Sequence, residues 1–276
     1  MQNISVSFLL VVLLSYSISA ATDAGADAAE GHWFYMVKTK SADPAKEAEF
    51  NTWYDDIDIP DVLAVPGFMR ARRGVQQNIT AIPELNLQES EGKYIALYDI
   101  ETGDIDKSII DLYVAARKMV ALGRITDLLK VTEANYYRRL TPGYRASVPG
   151  LSVPGPDSGN KYIYIQKVLC CVSEEDQEQF LDWLENIYIP KAMDSNGINR
   201  INVYELYRIM EVLSVGPEEI PHLLLVHEIE TDAIKQAISE LSGAVDSLEK
   251  TARLSELYVE GNDSAVYRQM SDVKSE

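Results

Sequence analysis

Residues 50–60 read FNTWYDDIDIP, and residues 180–190 read FLDWLENIYIP. In the first stretch Phe50, Trp53, Tyr54 and Ile57 follow the spacing i, i+3, i+4 and i+7, and apolar residues take the same four places in the second. This spacing is typical of a helix that buries one apolar face. Because the pattern returns 130 positions later, the sequence predicts two copies of one structural unit within the chain.

The agreement between the two copies extends to both sides of these helices. Each helix is followed by a turn glycine, Gly67 or Gly197, and then by an arginine, Arg70 or Arg200. Further matches at an offset of 129 or 130 are Trp33 to Lys38 with Tyr162 to Lys167, Tyr98 with His227, and Tyr137 with Tyr267. We therefore expect a first repeat over residues 32–142 and a second over residues 161–271, joined by a linker at 143–160 that is rich in proline, glycine and serine.

Hydrophobic periodicity predicts the same order of elements in both repeats. In the first repeat we expect strands at 32–38, 68–74, 93–101 and 134–140, with helices at 44–59 and 104–122. In the second we expect strands near 161–168, 198–205, 222–230 and 264–270. This β-α-β-β-α-β order is that of a ferredoxin-like unit, so the predicted class is α+β. Residues 272–276 are predicted to be a tail.

The first 21 residues contain a short apolar run, from Phe8 to Leu14, followed by small residues that end at Ala20 and Ala21. This pattern predicts a secretory signal peptide over residues 1–21, and residues 22–31 would form a flexible leader. An uncleaved membrane anchor and a buried N-terminal segment are the alternatives, since the stretch before the apolar run has no Lys or Arg. The predicted location is secreted or periplasmic.

Composition excludes several classes of function. The chain has 43 acidic and 25 basic side chains among 276 residues, a net charge of −18, which opposes binding to nucleic acid and, after signal cleavage, to anionic membranes. Three His and two Cys form no ready metal cluster. The sequence also has no glycine-rich phosphate loop and no nucleophile elbow, so we expect neither a metal nor a nucleotide cofactor.

The stretch from Trp53 to Phe68, with Arg70 after it, resembles the helix-and-strand signature of the dimeric α+β barrel superfamily, in its EthD-like branch. The resemblance implies that two ferredoxin-like units join sheet to sheet into one barrel with a pocket inside, here within a single chain. Relatives include cofactor-free monooxygenases, polyketide cyclases, lactone isomerases and haem-degrading or haem-binding enzymes, so the fold alone does not define the function. Members commonly carry a histidine where this chain has Asp58, and the counterpart in the second repeat is Tyr188.

The first strand of each repeat has one aromatic, partly polar face. We predict that Trp33 and Tyr35, with Tyr162 and Tyr164 in the second repeat, line a pocket for an apolar or aromatic small molecule, and we add Tyr188 as a substrate-binding candidate. The opposite face, with Phe34 and Met36 or Ile163 and Ile165, would then lie beneath the helices. The alternative is that the aromatic residues fill the barrel.

His227 is the predicted catalytic base, because it replaces Tyr98 of the first repeat in mid-strand and a neutral imidazole can accept a proton or ligate haem iron. A buried structural histidine is the alternative. Tyr98 and Asp58 are the other catalytic candidates, although Asp58 could equally be a solvated helix-end residue.

Arg70 and Arg200 could hold a ligand carboxylate, or could pair with acidic residues of the neighbouring strand such as Asp99 or Glu228. These candidates suggest a small-molecule enzyme that acts by proton transfer, as a cyclase, isomerase or lyase, or by cofactor-free oxygenation. The alternatives are a binding or accessory protein that has lost the chemistry and a haem-binding protein. Further association into a homo-oligomer is compatible with each.

Overall fold

The structure is a computed structural model that describes residues 31–79, 92–140, 144–145, 160–169, 174–212, 222–249, 259–260 and 264–275. The predicted signal peptide and all but one residue of the predicted leader lie outside these residues, as does most of the predicted linker. In the described part of the chain, no helix combines the length and the apolar composition needed to cross a membrane.

The elements of the two halves follow the predicted β-α-β-β-α-β order. The first half contains β1 (His32–Ser41), a short 3-10 turn (Pro44–Lys46), α1 (Glu47–Trp53), a π-helical turn (Tyr54–Asp58), α2 (Ile59–Leu63), β2 (Phe68–Gln76), β3 (Tyr94–Glu101), α3 (Ile105–Ala121) and β4 (Leu129–Arg139). Between the halves lies β5 (Tyr144–Arg145). The second half contains β6 (Lys161–Leu169), α4 (Glu174–Trp183), a second π turn (Leu184–Tyr188), α5 (Ile189–Met193), β7 (Ile198–Val212), β8 (Leu223–Glu230), α6 (Ile234–Glu249), β9 (Val259–Glu260) and β10 (Ala265–Lys274).

Eight of the described strands close into one antiparallel barrel in the order β10-β2-β3-β1-β4-β7-β8-β6, and β6 pairs with β10 to complete the ring. Each half supplies four neighbouring strands. The halves meet at two seams, where β4 pairs with β7 and where β10 pairs with β2. The predicted fold class, two ferredoxin-like units joined by their sheets into one barrel within a single chain, is therefore confirmed.

Apolar side chains form three cores. The barrel interior is filled by fully or almost fully buried residues from both halves: Phe34, Met36, Ile95, Leu97, Tyr137, Ile163, Ile165, Tyr204, Leu224, Val226, Ala265 and Tyr267. The other two cores lie outside the barrel, one in each half, between the sheet and the helices that cover it. The side chain of Ile79, which follows β2 in the first half, packs into the helix-covered core of the second half.

The predicted assignment of strand faces was wrong. Phe34 and Met36 point into the barrel, whereas Trp33 and Tyr35 lie beneath the helices of the first half. Tyr162 and Tyr164 likewise lie beneath the helices of the second half. Alternation separates the two faces of a strand but does not say which one meets a helix when both faces are apolar. The space expected to hold a ligand inside the barrel is therefore a packed core.

The first helical segment of each half contains a π turn just before an Ile-Pro pair. The amide of Ile59 donates to the carbonyl of Tyr54, five residues earlier, and the amide of Ile189 donates to that of Leu184. Proline has no amide hydrogen for an α-helical bond, so the helix loses its regular pattern near Pro60. Such π turns are frequent at functional sites. The turn also carries the first helix beyond its predicted end at residue 59, to Leu63.

Strands at the seams are longer than predicted. β4 starts at Leu129 rather than residue 134, β7 continues to Val212 rather than residue 205, and β10 continues to Lys274, through the first part of the predicted tail. These extensions pair with the other half, as Glu133 does with Val212 and Lys274 with Arg70. Periodicity within one strand gives no information about such distant partners.

Candidate functional site

Asp58 and Tyr98 meet beneath the helices of the first half. Asp58 ends the π turn, and Tyr98 lies in the middle of β3. The hydroxyl of Tyr98 donates to Oδ2 of Asp58 over 3.3 Å, and a further hydrogen bond links the side chains of Tyr98 and Tyr54. This acid and two phenols form a continuous polar chain in an otherwise apolar core.

The surroundings of Asp58 favour its neutral form. Burial raises the pKa of the carboxyl group to about 7, although the hydrogen bond from Tyr98 and the positive charge of Arg73 act in the opposite direction. A carboxyl group with a pKa of about 7 exists in both forms near neutral pH, so it can accept or give a proton there. Burial also raises the pKa values of Tyr54 and Tyr98 well above that of free tyrosine, which keeps both phenols protonated.

A buried arginine supports the π turn from the side of the sheet. Arg73 on β2 is fully buried, and its guanidinium donates to Asn51 over 2.5 Å and to Asp55 over 3.1 Å. It also lies over the ring of Tyr54, 4.4 Å from the ring centre. These contacts connect the helix to the strand on both sides of the turn, which fixes the position of Asp58 relative to the sheet.

Three tyrosines form a row across neighbouring strands. Tyr98 on β3 is the ladder partner of Tyr35 on β1, which is in turn the partner of Tyr136 on β4. The Tyr35 ring stacks on Tyr136 at 4.2 Å between ring centres and on Tyr98 at 5.8 Å. We call Tyr98, Tyr35 and Tyr136 the tyrosine row. Tyr98 and Tyr136 are each 1 % exposed, so the partly exposed Tyr35 is the member of the row that a ligand can contact.

Solvent reaches this region in the first half but not in the second. Tyr35 and Asp58 are partly exposed, whereas the corresponding Tyr164 and Tyr188 are 0 % exposed. The same contrast holds for two further pairs of positions, with the partly exposed residue first: Trp33 and Tyr162, and Leu112 and Leu241. The outer side of the sheet is therefore more open to solvent in the first half, and we call the partly exposed region around Trp33, Tyr35, Asp58 and Leu112 the crevice.

His227, the predicted base, lies in the closed half and is 0 % exposed. Its Nε2 is 3.1 Å from the hydroxyl of Tyr188 and its Nδ1 is 3.4 Å from the carbonyl of Tyr164, whose ring stacks on the imidazole at 5.0 Å. Burial lowers the pKa of His227 to about 4, so the imidazole is neutral at neutral pH. The alternative from the sequence, a buried structural histidine, describes these contacts better than a catalytic base.

The surroundings of His227 also do not fit a haem. A haem iron needs the nitrogen lone pair and a large apolar space beside it, but both ring nitrogens face protein atoms and the space around them is filled by the core of the second half. We derive no step through haem. Among the described residues, no group of three or more His, Cys, Asp or Glu side chains is placed to hold a metal ion.

Arg70 and Arg200 lie at one end of the barrel, away from the tyrosine row. Arg70 forms a two-pronged pair with Asp272 of β10, at 2.7 and 2.6 Å, rather than with a neighbour on β3. Arg200 lies 3.8 Å from Glu228, one of its predicted acidic partners. The pairing of β10 with β2 brings Asp272 to Arg70, and this seam is not visible in the sequence of either repeat. The structure thus places both arginines in ion pairs outside the crevice.

Sequence reasoning missed three residues around the crevice: Tyr54, Arg73 and Tyr136. Tyr54 was assigned only to an apolar helix stripe, and Arg73 was not singled out. A signal was available for Tyr136, because the corresponding position in the second repeat is Val266. A tyrosine that only one half carries, like the exchange of Tyr98 for His227, marks a difference between the halves.

No protein-family profile matches the sequence, and no curated protein matches it. Solved structures do match, at low sequence identity. An anthrone oxidase-like protein aligns with a TM-score of 0.55 and 12% identity over 90% of this chain and 95% of its own. An inferred monooxygenase from Fusobacterium nucleatum aligns with a TM-score of 0.50 and 8% identity over 88% and 94%. An inferred chlorite dismutase aligns at 0.49 and 12% over 87% and 95%. The chain shares the α+β barrel fold of the first two of these structures.

Proposed function

We propose that the chain is a small-molecule enzyme that acts without a nucleotide cofactor, and that it moves a proton to or from an aromatic or apolar substrate in the crevice of the first half. The observation that carries this proposal is the contact of Asp58 with Tyr98, since it joins a carboxyl group of pKa about 7 to a phenol donor in the half that solvent can enter.

The geometry favours removal of a proton from an activated carbon or from a hydroxyl of the substrate. The ionised form of Asp58 accepts the proton, and the electron pair stays on the substrate, where it is delocalised into a ring or a carbonyl group. Tyr98 remains protonated, so its hydroxyl can stabilise negative charge on Asp58 or on a substrate oxygen. Return of the proton to another atom completes an isomerisation or cyclisation.

Oxygenation is a second outcome of the same step. A carbanion of an anthrone-type ring system can bond to dioxygen, and loss of water then leaves a quinone, so that anthrone and dioxygen give anthraquinone and water. An anthrone oxidase-like protein is among the structures that share the fold, which agrees with this chemistry but supports it only at the level of the fold.

We also infer that the chain arose by duplication of one EthD-like ferredoxin-like unit and is exported to the periplasm or the exterior. Positions that match at an offset of 129 or 130 in sequence take corresponding places in the two halves, as Tyr98 and His227 do on β3 and β8.

The apolar N-terminal run supports export. Sequencing the N-terminus of the mature protein tests it, with a start near residue 22 as the expected result.

Anthrone is a suitable probe because its C10 hydrogens are acidic. Exchange of these hydrogens for deuterium, followed by NMR in D2O without dioxygen, measures the proton transfer alone. We expect the protein to accelerate exchange, with a rate that rises with pH through about 7, and Asp58→Asn to slow it on the order of 100-fold. Asp56→Asn changes an exposed carboxylate of the same π turn and serves as the control.

His227→Gln separates this proposal from the prediction based on sequence. If Asp58 is the base, this variant exchanges at the rate of the unmodified protein. Equal exchange by Asp58→Asn and the unmodified protein would overturn the assignment, and binding of anthrone with no acceleration at all would identify a binding protein instead of an enzyme.

A further inference from the structure

The mouth of the crevice is built in part by the second half of the chain. β7 continues along β4, and the bulges in this pairing place Tyr207 and Arg208 next to the first half. The Tyr207 ring packs edge-on against Trp33 at 4.9 Å. Asp106, at the start of α3, accepts hydrogen bonds from the hydroxyl of Tyr207 at 3.1 Å and from Arg208 at 2.7 Å. We call Trp33, Tyr207, Arg208 and Asp106 the rim.

Arg208 continues the tyrosine row onto a fourth strand. Its ladder partner is Tyr136, so the order across the sheet is Tyr98, Tyr35, Tyr136 and Arg208. Neighbouring strands lie about 4.8 Å apart, which puts the backbone of Arg208 roughly 14 Å from that of Tyr98. This order connects the cation at the rim, through Tyr136 and the partly exposed Tyr35, to the tyrosine that contacts Asp58.

The guanidinium of Arg208 retains donors for a ligand. Its side chain is 43 % exposed, and within the residues that the structure describes Asp106 is its one hydrogen-bonding partner, through a single amine. An arginine offers five N–H donors in a planar fork that suits a carboxylate. The chain as a whole repels anions because of its net charge of −18, so a local cation is needed to favour an anionic ligand at this place.

The second half lacks such a rim. The positions that correspond to Arg208, Asp106 and Tyr136 hold Asn78, Lys235 and Val266. In addition, Ile79 fills the helix-covered core there and is 4 % exposed, whereas the corresponding Ile209 is 39 % exposed. Both halves form the same fold, so the fold itself does not require this combination of residues.

From these observations we propose that Arg208 binds an anionic group of the ligand, and that the substrate class is an aromatic acid: a flat apolar ring system with one carboxylate. The ring system lies against Trp33 and the exposed part of Tyr35 with its reactive end at Asp58, and the carboxylate replaces or shares the place of Asp106 on Arg208. This inference rests on the proposed function for the orientation of the ligand, but the ionic contact can be tested alone.

The test compares two probes of the same shape, 2-naphthoate and the neutral 2-naphthamide, by calorimetry with the full chain. We expect naphthoate to bind about three- to tenfold more tightly than naphthamide, because a partly exposed two-pronged ion pair contributes modestly. Arg208→Gln should remove this preference, and Arg208→Lys should keep part of it. Asp106→Asn should increase it, since the variant removes a competing carboxylate.

Arg124→Gln is the matched control. Arg124 is also 43 % exposed and pairs with one carboxylate, that of Asp61, but it lies beyond the far end of α3, about 25 Å along the helix from Asp106. Arg124→Gln should leave the preference for 2-naphthoate unchanged. Equal binding of both probes to the unmodified protein, or loss of the preference in Arg124→Gln but not in Arg208→Gln, would overturn the assignment.

The outcome of this binding test is independent of the outcome of the exchange test of Asp58. A preference for naphthoate that requires Arg208, together with exchange of anthrone hydrogens that ignores Asp58, would support the ligand class and refute the proposed chemistry. The reverse combination would support the chemistry and refute the role of Arg208.

Discussion

The hydroxyl of Tyr188 lies 3.1 Å from Nε2 of His227, and this contact takes the place in the second half that the contact of Asp58 with Tyr98 takes in the first. The last residue of a π turn meets a residue in mid-strand in both cases. Asp58 of the first pair is partly exposed and can change its protonation near neutral pH, whereas both members of the second pair are buried and the imidazole is neutral. The two halves therefore share a geometry but not a chemistry.

Asp58 should make the protein less stable as the pH rises. Its pKa is about 7 in the folded protein and 3.8 in the unfolded chain, so between these values the folded state binds more protons and the free energy of unfolding falls with increasing pH. Asp58→Asn removes this penalty and should be about 2–4 kcal/mol more stable than the unmodified protein at pH 8, with little difference at pH 4. Urea unfolding at both pH values measures the effect. Asp56→Asn should show no such dependence.

His227 should have the opposite pH dependence. Its pKa is about 4 when folded and 6.5 when unfolded, so the unfolded state binds more protons between these values and stability falls as the pH drops from about 6.5 to about 4. The unmodified protein should lose about 3 kcal/mol more than His227→Gln between pH 7 and pH 4. The exposed His222, changed to Gln, is the control. An identical loss in the His227 variant would show that the imidazole is not sealed in the folded state.

Ile79 should be important for the stability of the second half although it belongs to the first. Ile79→Ala leaves a cavity in the helix-covered core of the second half and should cost about 2–3 kcal/mol of unfolding free energy. Ile209→Ala, at the corresponding but exposed position, should cost less than about 0.5 kcal/mol. Chemical denaturation of the two variants gives the comparison, and similar losses would contradict the structural difference between the halves.

Arg72 should hold the halves together across the barrel. It is 2 % exposed and reaches Asp99 on β3 at 3.0 Å and Glu228 on β8 at 2.7 Å. Arg72→Leu removes the buried cation shared by Asp99 and Glu228, of which Glu228 keeps only the longer contact with Arg200, and should cost about 3–5 kcal/mol. Arg70→Leu breaks a more exposed pair with Asp272 and should cost about 1 kcal/mol or less. Thermal unfolding of both variants measures the difference, and a cost for Arg72→Leu no larger than that for Arg70→Leu would speak against this role.

Much of the fold could be predicted from the sequence. The apolar faces that begin at Phe50 and Phe180 identified the first helix of each half, and Gly67 and Gly197 identified the turns that follow. Both signals reflect local backbone geometry. Of the candidate site, Asp58, Tyr98, Tyr35 and Trp33 were recognised, but as the lining of the barrel rather than of a crevice beneath the helices. Arg208 was not recognised, since its relation to Tyr136 depends on the pairing of β4 with β7.

The sequence by itself determined the order of elements, because this order depends on local periodicity. The closure of the two units into one ring was expected from the resemblance to the barrel superfamily. Only the tertiary structure decided which strand face became the barrel core, and that Ile79 is buried in a helix-covered core while Ile209 at the corresponding position is exposed. The physical reason is that alternation defines two faces without ranking them. Solvent access at Asp58 and Tyr35 depends on side chains that meet across the seams, more than a hundred residues apart in the chain.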